Sequence, residues 1–334
     1  MRILKVKYFV AFALTATVVL IIAYAVCSLI NKLRQDSGSN LSVLRSPVIQ
    51  TFPSADYQPP QVRATRVSSS SMELFTPYML FALDATNYAG CITALRSLPA
   101  ELTPEQFEKL RDAITIPFDP SMPFKLLEFN GLRNAAAEFL LQQPDFPSDL
   151  LLDFAAMHED PGQDPVWRDY CLQMLTTGWL NLAERSGEES SKARTLSVQV
   201  LEKAVNARAH PWPGTALLGL RLISDNDPTV FPPESLNRLI LDVVTDHLSS
   251  ESARLTALRL AGERCLAEAS ATAEALALDP ATAPMLRLCA VATLGDLETG
   301  RSTLETIVTS SDPTLCAIAT QALQNHDPQH VKQR

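Results

Sequence analysis

The chain has 334 residues and a formal net charge of −9, long enough to bury a substantial core without metals or disulfides. Its first 36 residues carry five Lys or Arg against one Asp, so the remainder holds 23 basic and 36 acidic residues, −13 by count. A body of that sign repels a phosphate backbone, and nucleic acid is excluded as the expected partner.

Residues 1–34 read as a membrane anchor. After the basic "MRILKVK", Tyr8 to Ile30 run 23 residues without Asp, Glu, Lys, Arg or His; as a helix this spans about 34 Å, close to the apolar thickness of a bilayer. "AYA" at 23–25 is similar to a signal-peptidase site, but the apolar run continues through Ile30, which favours an uncleaved span. Tyr24 makes a poor lipidation context for Cys27. Three basic residues precede the span, and Lys32 and Arg34 behind it are offset by Asp36. The expectation is a cytoplasmic N-terminus and a body outside the cytoplasm. The Ala- and Leu-rich helices and basic anchor point to a bacterial inner-membrane protein with its body in the periplasm.

Residues 35–71 are rich in Ser, Pro, Gly and Gln, without a sustained apolar period. They read as a flexible linker that sets the reach of the body. From residue 72 the pattern is helical almost throughout. In region 72–160, "TPEQFEKLRDAI" opens with a Thr cap, a Pro in the first turn and an early acid. "PFKLLEFNGLRNAAAEFLLQQ" and "FPSDLLLDFAAMHED" follow as a pair, and the region is expected to cap what comes after it. Strand-like alternation is absent, so the fold class is all-α.

Over 161–326 the helices alternate in two roles. The first begins near Asp164, Trp212, Ser252, Thr282 and Thr314, and the second occupies about 191–208, 233–248, 270–278 and 299–309. These starts are separated by 48, 40, 30 and 32 residues, around what stacked helix hairpins need. "TALRLAGE" at 256–263 and "CAVATLGD" at 289–296 share small residues and a Gly followed by an acid, and "AIATQALQ" at 317–324 puts Ala322 where the Gly stood. Small side chains let adjacent helices approach closely. Residues 327–334 read as a flexible tail.

Asp164, Pro165 and Arg168 open one such helix, and Asp312 and Pro313 open another without a basic residue after them. Asp279 and Pro280 stand three residues further from Leu286 and Arg287, as if the turn were longer. These stretches resemble the HEAT or HEAT-like repeat family of α-solenoids, whose first helix opens with Asp-Pro, a basic residue and spaced small and Leu residues. The likeness spans 124–326. It implies an α-solenoid of irregular helical hairpins and says little of function. A tetratricopeptide array would want a steadier period than Trp167, Trp179 and Trp212 keep.

Enzyme patterns are missing. There is no GxSxG, GxGxxG or GK[ST] phosphate loop, and "HEDPG" at 158–162 lacks the second His of HExxH. His158 ends a helix and is expected to cap it. Asp225 and Asp227 in "SDNDP" lack the Gly of a calcium loop. The five cysteines of the body stand in apolar helical contexts and are expected to pack as small hydrophobes. No catalytic residue, metal or cofactor is assigned. The partner-binding candidates are Trp212, in a Pro-flanked connection where it closes the core or faces a partner; Phe118 and Phe124 in "FDPSMPF"; and Asp225. The expected role is a membrane-anchored scaffold or assembly factor, not an enzyme, binding another membrane-associated or periplasmic protein. The alternatives are a cell-wall or polysaccharide-binding module and a hydrolase whose site is assembled from separate helices.

Overall fold

The structure is a computed structural model that describes residues 88–120, 125–310 and 312–325, and every regular element among them is helical. The anchor 1–34, the linker 35–71 and the tail 327–334 lie outside the described residues. No helix among the described residues is long and apolar enough to cross a membrane.

Thirteen α-helices follow in order among the described residues: α1 (Tyr88–Arg96), α2 (Pro104–Thr115), α3 (Leu126–Leu141), α4 (Leu150–Glu159), α5 (Pro165–Leu182), α6 (Glu188–Asn206), α7 (Pro213–Asn226), α8 (Pro233–Thr245), α9 (Glu251–Glu263), α10 (Ser270–Leu278), α11 (Pro284–Asp296), α12 (Arg301–Val308) and α13 (Pro313–Asn325). The starts are written in the sequence. Thr103 forms a capping box with Gln106 ahead of Pro104. Asp164 accepts from the amides of Val166 and Trp167, Ser250 from that of Ala253, and Asp312 from those of Thr314 and Leu315. Each satisfies a donor that the first helical turn leaves over. The Asp279-Pro280 pair does not start a helix: α11 begins at Pro284, and the Asp279 carboxylate holds the turn before it by accepting from the Ala281 amide.

The helices form two rows. The odd-numbered helices pack in succession, α1 on α3 and so on to α13, and each even-numbered helix packs on the odd helix that follows it. The row runs without interruption from α1, so the described part of 72–160 stacks in the same order as the repeats. One apolar core fills the seam, with Trp167, Trp179, Phe129, Phe146 and Phe154 fully buried within it. Each such side chain contributes about 1.5–3 kcal/mol by leaving water.

The shared Gly-acid pattern acquires a structural reason. A Cβ on Gly262 of α9 would meet the Asp296 carboxylate of α11 at 2.7 Å, and one on Gly295 of α11 would meet Ala322 Cβ of α13 at 2.6 Å. The same point in successive repeats is a close approach of neighbouring odd helices. The architecture is an all-α solenoid of stacked helical hairpins, which resembles a HEAT-like repeat array.

Two expectations about side chains are corrected. Cys265 is not a packed helical cysteine. It lies beyond the end of α9, exposed, with φ at +53°. Its amide donates to the Gly262 carbonyl and that of Leu266 to the Ala261 carbonyl, the paired bonds of a helix end that turns through the left-handed region. Cys91 and Cys171 are buried as expected, and all five cysteines from Cys91 onward are free. His158 does not cap its own helix; its role follows below.

Candidate interaction edge

Four to ten residues join each even helix to the next odd one, so the chain reverses at every connection. All odd helices therefore run the same way. Their N-termini line one edge of the stack, together with the C-termini of the even helices, whose last carbonyls have no helical partner.

That edge is stitched by a recurring arginine. The fourth residue of α5, Arg168, donates through Nε to the His158 carbonyl at 2.6 Å. The fourth residue of α9, Arg254, reaches the Val244 carbonyl at 3.4 Å, and that of α11, Arg287, reaches the Ala277 carbonyl at 3.4 Å. Each bond spans ten residues and places a cation at the negative end of the preceding even helix. In α13 the fourth residue is Cys316, whose thiol takes the same place against Ile307 O at 3.4 Å. On α3 the work is done one turn later by Arg133, which donates through Nε and Nη2 to the Ile114 carbonyl at 2.8 and 2.5 Å and lies 4.0 Å over the Trp167 ring. Burial pushes Arg133 down to about 9, which leaves it a cation at neutral pH.

The fourth residue of α7 is Ala216, and here an aromatic cluster replaces the clamp. Trp212 is 3% exposed. His210 stacks on its ring at 4.1 Å, His158 meets it edge-on at 5.3 Å, and the Arg168 guanidinium lies 4.6 Å over it. His158 Nδ1 lies 2.9 Å from the Arg168 carbonyl. Since a carbonyl only accepts, Nδ1 carries the proton. Burial holds the His158 imidazole below its ordinary value, with the nearby Arg168 cation adding to the effect. His158 and Arg168 thus exchange a pair of side-chain-to-carbonyl bonds, and the arginine is the cap.

The sequence candidates fall apart spatially. Trp212 is a core-closing residue and presents no surface to a partner, a correction to its selection as a binding candidate, because a Pro-flanked indole beside three flat cations or imidazoles is better buried than wet. Phe118 lies on the same edge, half-buried against Phe129 with ring centroids 5.6 Å apart. Phe124 lies outside the described residues. Asp225 is at the opposite edge, at the end of α7, where Arg221 at 3.4 Å and Arg264 at 3.8 Å pair with it. Asp227 accepts from the amide and hydroxyl of Thr229, bonds that hold its carboxyl below the usual range. No group of three or more His, Cys, Asp or Glu suited to a metal occurs among the described residues.

The residues that do face solvent were missed. Leu127 is 75% exposed, Val166 47% and Met285 61%, and each is the second residue of its odd helix; Leu248, in the connection before α9, is 69% exposed. Leu278 at the end of α10 joins them. Most of the large exposed apolar side chains of the described residues therefore share this one edge. The signal was the apolar residue directly after Pro165 and Pro284: with Trp167 and Leu286 turned into the core, its neighbour one position earlier lies about 100° away and off the buried face.

No family model and no curated protein matches the chain. Among solved structures it is similar to human deoxyhypusine hydroxylase in complex with glycerol, at 14% identity, covering 72% of this chain and 89% of that one, with a TM-score of 0.32.

Proposed function

We propose that the chain is a protein-binding helical-repeat scaffold that engages its partner along the edge built from the N-termini of the odd helices. The observation that carries this reading is the row of exposed Leu127, Val166, Leu248 and Met285 on one edge of the stack. Exposed apolar side chains gathered on one side mark a surface that another molecule covers. In the same reading residues 8–30 anchor the chain in a bacterial inner membrane, residues 35–71 set its reach, and the body works in the periplasm. Confinement to the membrane plane raises the effective concentration of a membrane-associated partner.

Photoreactive residues placed singly at Leu248 and Met285 test this in living cells, with matched positions at Leu152 and Leu222. A protein adduct of one mass from the first pair and none from the second is the expected result. Equal adducts at all four positions, or none on the edge, refute the reading. A reporter enzyme fused after Arg334 that is active only in the cytoplasm should be silent; an active one refutes the periplasmic placement.

A further inference from the structure

We infer that this edge docks a Lys- or Arg-rich amphipathic helix of another protein, an inference that rests on the protein-binding reading and specifies its partner. The apolar positions are interleaved with acids. Asp112 lies in the last turn of α2, Asp160 in the connection before α5, Glu251 at the start of α9 and Asp279 next to Leu278; all four are exposed, and none enters an ion pair among the described residues.

Most cations of the same edge are turned elsewhere, the exception being Lys125, exposed ahead of α3. Arg168, Arg254 and Arg287 point back onto helix carbonyls, Arg208 lies 3.9 Å from Asp246, and Lys203 is paired with Glu159 at 2.6 Å. On the opposite edge Asp153 and Glu263 are matched by Arg111 and Arg221 at 2.5 and 2.6 Å, while Glu184 and Glu234 are exposed and outside the ion pairs of the described residues. A surface with protruding apolar side chains and outward negative charge, its helix-opening arginines drawn onto carbonyls, is complementary to apolar residues flanked by Lys or Arg. It repels a second copy of itself and anionic lipid alike.

The spacing fits a helix. Neighbouring odd helices lie roughly 8–10 Å apart, and seven residues of a helix rise about 10.5 Å. An apolar residue at every seventh position therefore meets successive helices of the row. The distance from α3 to α11, four such steps, is about 40 Å and takes about 28 helical residues.

The probe is a fluorescent Leu/Lys helical peptide of about 28 residues, with its Leu/Glu counterpart as control, titrated into the full chain held in zwitterionic nanodiscs. The Leu/Lys peptide should bind and the Leu/Glu peptide should not. Leu248→Ser with Met285→Ser should weaken binding about tenfold, equivalent to removing two partly buried apolar contacts. Asp160→Asn with Glu251→Gln and Asp279→Asn should weaken it and flatten its salt dependence, while Leu152→Ser with Leu222→Ser should not change it. Equal binding of both peptides, or parental binding by both edge variants with circular dichroism unchanged, overturns the inference. So does capture of phosphatidylglycerol vesicles in place of the peptide. If the peptide fails while cellular crosslinks at Leu248 and Met285 persist, the basic partner is wrong and the protein-binding reading stands; if both fail, both fall.

Discussion

Gly295→Ala separates local helix propensity from packing. Gly295 lies in α11 near its end, and on propensity alone alanine stabilises a helix interior by up to about 1 kcal/mol. The structure opposes this, because the added Cβ would stand 2.6 Å from Ala322 Cβ and 3.4 Å from Ala322 Cα. Carbon atoms rest about 3.5–4.0 Å apart, so α11 and α13 must part by roughly 1 Å. Alanine has no rotamer through which Ala322 can yield. Overpacking of this kind costs about 1–3 kcal/mol, which leaves a net loss of about 0.5–2 kcal/mol after the gain in propensity. Because stacked repeats open from their ends, the loss should appear first as faster amide exchange in α13, alongside a lower urea midpoint. Ala322→Gly moves the empty space to the partner helix and should rescue the variant, with a coupling of about 1–2 kcal/mol in the double-mutant cycle. A raised midpoint in Gly295→Ala with α13 protection unchanged, or strict additivity with Ala322→Gly, would refute the close approach as the reason for glycine.

Three more outcomes follow from the edge and the helix ends. Arg168→Ala removes a charge-assisted bond to the His158 carbonyl and the contact with Trp212, a loss of about 2–4 kcal/mol, while Arg287→Ala, with its bonds at 3.4 Å, should lose roughly half as much or less; urea titration ranks the two. His158 is held neutral by burial, so the unfolded chain takes up its proton first: stability should fall as pH drops below about 6.5, and His158→Asn should flatten that fall in thermal melts taken from pH 7.5 to 5. Cys265→Gly relieves a left-handed backbone that glycine adopts freely and should stabilise by about 1 kcal/mol, while mass-spectrometric thiol labelling of the parent should find Cys265 modified before Cys171, whose thiol burial pushes up.

The helical period and the caps carry the fold in the sequence. Asp164-Pro165 and Asp312-Pro313 start helices because a side-chain acceptor and a fixed proline φ suit a first turn regardless of tertiary context. Asp279-Pro280 has the same two residues and starts none, since the carboxylate is taken by the turn before Pro284. Local chemistry offers both outcomes, and the stack selects one. Exposure was the part that could not be read. Trp212 in "HPWPG" and Met285 in "APMLRL" are both large apolar residues next to proline. One is buried by Arg168 and His158 from the preceding hairpin, and the other, the second residue of α11, stays 61% exposed among the described residues. Partners that far apart along the chain leave no mark at the position itself.

The charge of the body connects these levels. A count of 23 basic and 36 acidic residues beyond the first 36 residues describes an average, and the structure distributes it unevenly. Three of the hairpins use an arginine to close the C-terminal carbonyls of one helix against the first turn of the next, Arg168, Arg254 and Arg287. A long side chain that donates in a fixed fork can meet that need where a lysine point charge meets it less well. Acids at the same connections act instead as caps and turn formers and stay exposed, as Asp160 does while accepting from the Gly162 amide and the Gln163 side-chain amide. The capping requirements of the fold thus draw positive charge inward and leave negative charge outward along one edge. The surface proposed to hold a basic helix follows from the way each hairpin is closed.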